Sequence, residues 1–185
     1  MMDELIEDAG RRMDKSVEDA LHEFNTVRTG RASAALLDRI QIDYYGTPTP
    51  LKQLASINVP EPRMLTIQPF DPSSIKQIER AIMESDLGLN PSNDGKLVRL
   101  PIPQLTEERR KELVKVVRHL AEEGRIAVRN VRRDVMHDLK ELVRDGDVGD
   151  DEERRAEERV QKMTDDRVHR IDELLKKKEA EILEV

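Results

Sequence analysis

Apolar residues recur every three or four positions in the first 29 residues, and polar residues fill the positions between them. The apolar positions are Ile6, Ala9, Met13, Val17, Ala20, Phe24 and Val27. This spacing is typical of an amphipathic helix with a coiled-coil-like seam. Because the stop signal Gly30 follows, the pattern predicts a long helix from Asp3 to about Thr29.

The pattern changes from helical spacing to alternation between Arg39 and Pro103. It predicts strands at residues 40–45, 54–59, 64–68 and 97–103, with a turn at 46–50. Asp71 and Pro72 are typical of a cap and first helical position, and they predict a helix that ends near Ser85 and buries Ile75, Ile78 and Ile82. Residues 87–96 are expected to form a loop or short strand with a turn at 93–95. Residues 31–104 therefore form a small α/β module.

Helical spacing returns after Thr106, where a hydroxyl followed by two glutamates is a typical helix start. We expect this second long helix to reach about Val143 and to present one apolar seam. The predicted seam consists of Leu113, Val117, Leu120, Gly124, Val131, Val135 and Leu142. Glycine within a helix costs about 1 kcal/mol relative to alanine, so Gly124 predicts close approach of a neighbouring helix.

A third long helix is predicted to start at Asp150, after the polar loop 144–150. Its apolar positions are Ala156, Val160, Met163, Ile171, Leu175 and Ile182, and Lys176, Lys177 and Lys178 suit its negative end. Three helices with complementary seams predict an antiparallel three-helix bundle of residues 1–30 and 105–185. The module 31–104 is inserted after the first helix. The two connections would form a hinge that consists of Gly30, Arg31, Pro101, Pro103 and Gln104.

The composition indicates the cellular environment of the protein and limits how it could bind a nucleic acid. The chain has no cysteine, no basic and apolar leader and no run of about 20 apolar residues. We therefore expect a cytoplasmic protein with no membrane partner. Two Phe, two Tyr and no Trp disfavour base-stacking nucleic-acid readers, so a nucleic acid would be bound through phosphate and shape.

The second long helix concentrates positive charge in a chain whose net charge is -7. Arg118, Arg125, Arg129, Arg132 and Arg133 fall within about a third of the helix circumference. Only Glu122 and Glu123 oppose them between residues 118 and 133, which favours a polyanionic partner. The alternative is a solvated face tied down by helix-spaced ion pairs such as Glu122 with Arg125.

We find no convincing catalytic or metal site in the sequence. His22, His119, His137 and His169 lie on predicted helices without paired-ligand spacing, and no phosphate-binding loop is present. The loop 145–150 resembles the start of a calcium loop, but Gly149, Asp150 and the later Ala156 stand at positions that the template reserves for other residues. The sequence therefore predicts no cofactor, no metal and no enzyme.

Several long motifs, in order along nearly the whole chain, are similar to those of bacterial ribosome recycling factors. They are Arg28–Arg31 (Arg-Thr-Gly-Arg), 43–51, 54–57, 85–95, 105–110 and the Val-Arg-Asn-Val-Arg-Arg run at 128–133. The resemblance implies an L-shaped α+β molecule in which a three-helix bundle carries an inserted small β/α/β domain. It also implies a non-catalytic factor that binds the ribosome after termination.

The family's activity and partners give further expectations. With elongation factor G and GTP, the protein would separate the ribosomal subunits and release messenger and transfer RNA, while the small domain swings at the hinge. Its partners would be large-subunit ribosomal RNA and elongation factor G, and it would be a monomer. Arg129 and Arg132 would be the main RNA contacts, Arg125 and Arg133 would assist, and Arg28 and Arg31 would act near the hinge.

A helical adaptor is the alternative from another class. Its apolar seams would bind partner helices, and the arginines would only solvate it. This hypothesis predicts self-association and partner binding that is insensitive to salt.

Overall fold

The computed structural model describes residues 1–184 and contains three long and two short helices in that range. The helices are α1 Met2–Asn25, α2 Leu51–Leu54, α3 Ile75–Glu84, α4 Glu107–Arg144 and α5 Asp150–Leu183. The predicted start of α4 is confirmed, because the Thr106 hydroxyl accepts a hydrogen bond from the Arg109 backbone N–H at 3.1 Å. No helix of the described residues is long and apolar enough to cross a membrane.

The predicted end of α1 was wrong by four residues, because the helix stops at Asn25 and not at Thr29. Val27 continues the apolar spacing, so periodicity alone does not mark the end. The β-branched residues Thr26 and Val27 lower helix propensity. Beyond them the backbone is non-helical, and the Arg28 side chain donates a hydrogen bond to the Pro103 carbonyl oxygen at 3.1 Å.

The chain divides into two compact units. The first comprises residues 1–24 together with those from Val114 onward, and the second comprises Asn25–Leu113. The sequence had predicted a bundle of residues 1–30 and 105–185 and an inserted module of residues 31–104. The predicted hinge residues lie within the second unit.

The first unit is a bundle of three long helices whose directions follow from their contacts. Along α1, Arg12 pairs with Asp134 of α4 at 3.0 Å and Ala20 lies against Gly124. Along α4, Arg118 pairs with Glu179 of α5 at 2.7 Å and Arg125 with Asp172 at 2.6 Å, so α4 runs antiparallel to both neighbours. The helices α1 and α5 run parallel, since Asp3 bonds to Arg159 and Asp14 to Arg167, each at 3.0 Å. The bundle has the predicted up-down-up order.

Gly124 permits close approach of the neighbouring helices, as predicted. A Cβ atom at this position would lie 3.1 Å from the Ala20 Cβ and 3.3 Å from the Ile171 Cδ1. Both distances are shorter than ordinary carbon contacts of about 3.5–4.0 Å. The loss of helix propensity at Gly124 is therefore offset by packing of all three helices.

The buried seam of α4 differs from the predicted one at several positions. Ala121, Val128 and Leu139 are buried, whereas Leu120 and Leu142 are only half-buried. The seam advances four residues from Val117 to Ala121 and three more to Gly124. This spacing places the small Ala121 in the seam, and the more apolar Leu120 beside it falls outside. Hydrophobicity alone was therefore a poor guide to the seam.

The buried face of α5 carries polar residues that the sequence pattern did not assign to it. Thr164 and Lys178 are 4% and 8% exposed, while Met163 and Leu175 are half-buried. The Thr164 hydroxyl donates a hydrogen bond to the Val160 carbonyl oxygen at 2.8 Å, which satisfies it within its own helix. Lys178 was expected to suit the negative end of α5, and its position in the seam buries its stem.

The second unit contains six strands in two antiparallel sheets. The strands are β1 Gln41–Tyr44, β2 Thr47–Pro50, β3 Ala55–Glu61, β4 Met64–Pro69, β5 Ser92–Asn93 and β6 Val98–Pro101. Strands β1 and β2 form a hairpin, and the larger sheet has the order β3-β4-β6-β5. The predicted turn at 46–50 was too long, since Tyr45 and Gly46 alone turn the chain with φ of 50° and 81°. Two residues with positive φ suit the tight hairpin turn.

The helix α3 covers the core of the second unit with the predicted face of Ile75, Ile78 and Ile82, all buried. Asp71 caps the 3₁₀ turn that leads into it, accepting hydrogen bonds from the Ser73 hydroxyl at 2.7 Å and backbone N–H at 3.0 Å. These bonds, and a third from the Tyr44 hydroxyl, hold the pKa of Asp71 below its ordinary value. The predicted cap is confirmed.

Candidate nucleic-acid interface

Three arginines of α4, spaced by seven residues, reach across to α5. Arg118 donates to Glu179 at 2.7 Å, and Arg125 donates to Asp172 at 2.8 Å. Arg132 donates to Gln161 at 2.7 Å. A spacing of seven keeps side chains on nearly the same helix face, so the three contacts form a ladder along the α4–α5 boundary. The remaining arginines of the predicted stripe, Arg129 and Arg133, lie outside this ladder.

Arg125 is enclosed by carboxylates. Its side chain is only 19% exposed, its Nε and Nη2 bond to Asp172 at 2.8 and 2.6 Å, and its Nη1 bonds to Glu122 at 3.1 Å. Burial alone would lower the pKa of Arg125, but the bonds to Asp172 and Glu122 raise it above the ordinary value. Two carboxylates therefore compensate its charge, and its role here is to join α4 to α5.

Arg132 has a different environment, because its partner is a neutral amide. Its Nε donates to the Gln161 Oε1 at 2.7 Å, and the Gln161 Nε2 donates in turn to the Asp165 Oδ1 at 2.9 Å. Within residues 1–184 Arg132 makes no ion pair of 4.0 Å or less. Its position is fixed through one nitrogen, and its charge is uncompensated.

Arg129 and Arg133 are exposed to solvent. Arg129 lies 3.4 Å from Glu122 with both side chains about half exposed, a geometry that contributes little. No ion pair involves Arg133 in the part of the chain that the structure describes. Arg118 and Arg125 therefore have acidic partners, and the pair of Arg125 with Glu122 has the helix spacing that the solvated-face alternative expects. Arg132 and Arg133 have no acidic partner within 4.0 Å among residues 1–184.

A shallow groove of about 400 Å³ continues this surface toward the end of α4. Its lining residues are Arg132, Arg133, Met136, His137, Lys140 and Glu157. Three fixed cations thus face one carboxylate, and an electropositive groove of this kind attracts anions. Lys140 was missed by sequence reasoning, although it lies one heptad after Arg133 and its spacing could have identified it.

The two other predicted RNA contacts, Arg28 and Arg31, belong to the second unit. Burial and the nearby Arg109 lower the pKa of Arg28, whose Nε atom is buried without a hydrogen-bond partner among the described residues. Arg31 is exposed. The structure thus brings together the four predicted arginines of α4.

The predicted hinge residues are held by the small unit. Gly30 has φ of 81° and a Cβ there would lie 3.6 Å from the Leu105 Cγ. Pro101 pairs with Met64 in the sheet, and the Ile102 N–H donates to the Arg63 carbonyl oxygen at 2.8 Å. Arg63 also lies within hydrogen-bond distance of the Gln104 side-chain amide.

The described residues contain no group of three or more His, Asp or Glu that could hold a metal ion. His119, His137 and His169 each lie within 3.4 Å of a glutamate four residues later in the same helix. These are exposed helix-surface pairs.

Comparison with known proteins identifies the family. Residues 20–183 match the family model described as "Ribosome recycling factor". The chain is 61% identical over 180 residues to the ribosome-recycling factor of Rubrobacter xylanophilus, covering 97% of each chain. It is 51% identical to that of Geobacillus kaustophilus, covering 100% of both chains.

Solved structures agree with the sequence comparison. The solution structure of a ribosome recycling factor has a TM-score of 0.78, 42% identity and coverage of 100% and 98% of the two chains. A structure of the T. thermophilus ribosome recycling factor and the E. coli elongation factor G bound to the E. coli post-termination complex has a TM-score of 0.70 and 47% identity, with full coverage of both chains.

The α+β chain is therefore a non-catalytic translation factor. It belongs to the ribosome recycling factor family. This assignment confirms the sequence-based identification and excludes the helical adaptor. Because such factors act in bacterial translation, family membership also places the chain in the cytoplasm.

Proposed function

We propose that this chain binds the post-termination ribosome and, together with elongation factor G and GTP, separates the subunits and releases messenger and transfer RNA. Two findings support this proposal, namely the family membership and the relative that is bound with elongation factor G to the post-termination complex. The observation that carries it is the groove of α4 in which Arg132, Arg133 and Lys140 face one carboxylate, on a chain whose net charge is -7.

The partner of this surface is large-subunit ribosomal RNA, bound through phosphates. Arg132 offers two terminal nitrogens in the planar fork that suits phosphate, and Arg133 and Lys140 add charge beside it. Arg129 contributes from the adjoining exposed turn. Arg125 assists by joining α4 to α5, since its own nitrogens are engaged by Asp172 and Glu122.

Arg28 and Arg31 contact RNA near a hinge formed by Gly30, Arg31, Pro101, Pro103 and Gln104. This part of the proposal derives from the family resemblance and from the two connections, of which the second contains Pro101 and Pro103. Replacing Pro101 and Pro103 together with glycine frees both positions and is expected to slow subunit separation while leaving ribosome binding intact. Full separation activity in that variant would contradict a role for hinge stiffness.

The test of the overall function is subunit separation measured by light scattering on post-termination ribosomes. We expect dissociation that requires this protein, elongation factor G and GTP at once. Omission of each component provides the controls. Dissociation no faster than with elongation factor G and GTP alone would overturn the proposal.

A further inference from the structure

We infer that Gln161 of α5 is a positioning residue that aims Arg132 at RNA phosphate and, because it is neutral, leaves the arginine charge available. The inference rests on the function proposed above. It begins with the ladder between α4 and α5, in which Arg118 and Arg125 meet the carboxylates of Glu179 and Asp172. Arg132 meets an amide instead.

The geometry fixes Arg132 from one side only. Gln161 accepts a hydrogen bond from the arginine Nε at 2.7 Å, while its own Nε2 donates to Asp165 at 2.9 Å. The bond to Asp165 holds the amide with its oxygen toward Arg132. Since Nε is engaged, the guanidinium plane is oriented and its two terminal nitrogens stay free for a phosphate, which lowers the entropy lost on binding.

The absence of charge on the Gln161 side chain matters for RNA binding as much as its position beside Arg132. A glutamate at residue 161 could make the same hydrogen bond, but it would place a negative charge 2.7 Å from the arginine nitrogen. Arg132 would then resemble Arg125, whose charge is compensated by acidic partners. An ion pair across the ladder stabilises the helices, whereas a neutral partner preserves attraction for RNA.

The experiment measures binding of the full-length protein to purified large ribosomal subunits across a salt titration. We expect Gln161→Glu to lower affinity about tenfold and to reduce the log–log salt slope by about 0.7–0.9, the loss of one phosphate contact. Its melting temperature should stay close to that of the wild type, because the new ion pair with Arg132 offsets the lost hydrogen bond to Asp165 and the repulsion between the two carboxylates. Gln161→Ala, which removes the anchor without adding charge, should lower affinity only about twofold to threefold and keep the slope.

Two controls separate positioning from a general charge effect. Gln77→Glu adds the same charge on an exposed face of α3 in the other unit and should bind like the wild type. In an Arg132→Ala background, Gln161→Glu should cause no further loss, because the two residues act through one contact.

Each outcome either supports or overturns the role of Gln161. Wild-type affinity and slope in Gln161→Glu would overturn the inference while leaving the proposed function standing. An equal loss in Gln77→Glu, or a further loss in the Arg132→Ala background, would also overturn it. Salt-insensitive binding of the wild type would instead contradict the proposed RNA contact itself.

Discussion

Replacement of Arg125 by alanine should weaken the bundle far more than it weakens RNA binding. The side chain is 19% exposed, donates hydrogen bonds to two carboxylates and also has its Nη2 2.6 Å from the Asp172 carboxylate. Loss of a buried pair costs about 3–5 kcal/mol, and loss of an exposed pair costs about 0–1 kcal/mol. Because Asp172 and Glu122 are 41% and 50% exposed, we place the loss of unfolding free energy near 2 kcal/mol.

The assay combines thermal unfolding by circular dichroism with binding to large ribosomal subunits. A loss of about 2 kcal/mol corresponds to a fall of about 4–8 °C in the melting temperature for a chain of this size. Arg133→Ala is the matched control, since it removes an exposed arginine of the same helix and should change stability by less than about 0.5 kcal/mol.

RNA affinity should show the opposite order for the two variants. Arg125→Ala is expected to keep affinity within about threefold of the wild type, while Arg133→Ala should lose more. An unchanged melting temperature together with a tenfold loss of affinity in Arg125→Ala would refute the assignment, because Arg125 would then contact RNA directly.

Three further predictions concern packing, a buried charge and the groove. Gly124→Leu should lower the melting temperature by several degrees, because its Cβ alone would lie 3.1 Å from the Ala20 Cβ and overpacking costs about 1–3 kcal/mol. An unchanged melting temperature would contradict the close packing of the helices at this position. Burial lowers the pKa of Lys178, so the unfolded chain binds more protons and wild-type stability from this group rises with pH. Lys178→Met should therefore stabilise the bundle by about 1 kcal/mol at pH 7, measured by urea unfolding. The difference in unfolding free energy between the variant and the wild type should narrow as the pH approaches the usual lysine pKa of 10.5, and a difference that stays constant with pH would contradict this. Lys140→Ala should lower the salt slope of large-subunit binding by about 0.7–0.9 without changing helix content, and an unchanged slope would exclude Lys140 from the interface.

The sequence was sufficient to predict the elements whose signals are local. Thr106 with two following acids marked the start of α4, Asp71 marked the cap before α3, and Gly124 marked a close helix contact. The end of α1 was missed because Val27 continued the apolar spacing although the helix stops at Asn25. Local periodicity does not contain that information.

The arginine stripe could be located from the sequence, but its division into compensated and free charges could not. That division depends on which residues of α5 face α4, and helix rotation is set by packing of the whole bundle. Gln161 is a neutral residue 29 positions from Arg132, and no motif distinguishes it. The contribution of each arginine therefore became visible only with the partner helix in place.

The most direct measurement is the salt dependence of binding to purified large ribosomal subunits, because it would show whether the α4 surface is the RNA anchor. It compares the wild type with a triple variant that carries Arg129→Ala, Arg132→Ala and Arg133→Ala. The control triple replaces Arg11, Lys15 and Arg154, exposed cations of the bundle that pair with acids on their own helices. We expect tight binding by the wild type and the control, and a slope reduced by about 2–2.7 in the α4 variant. Equal slopes for all three proteins would contradict the proposal that the α4 surface anchors this factor to ribosomal RNA.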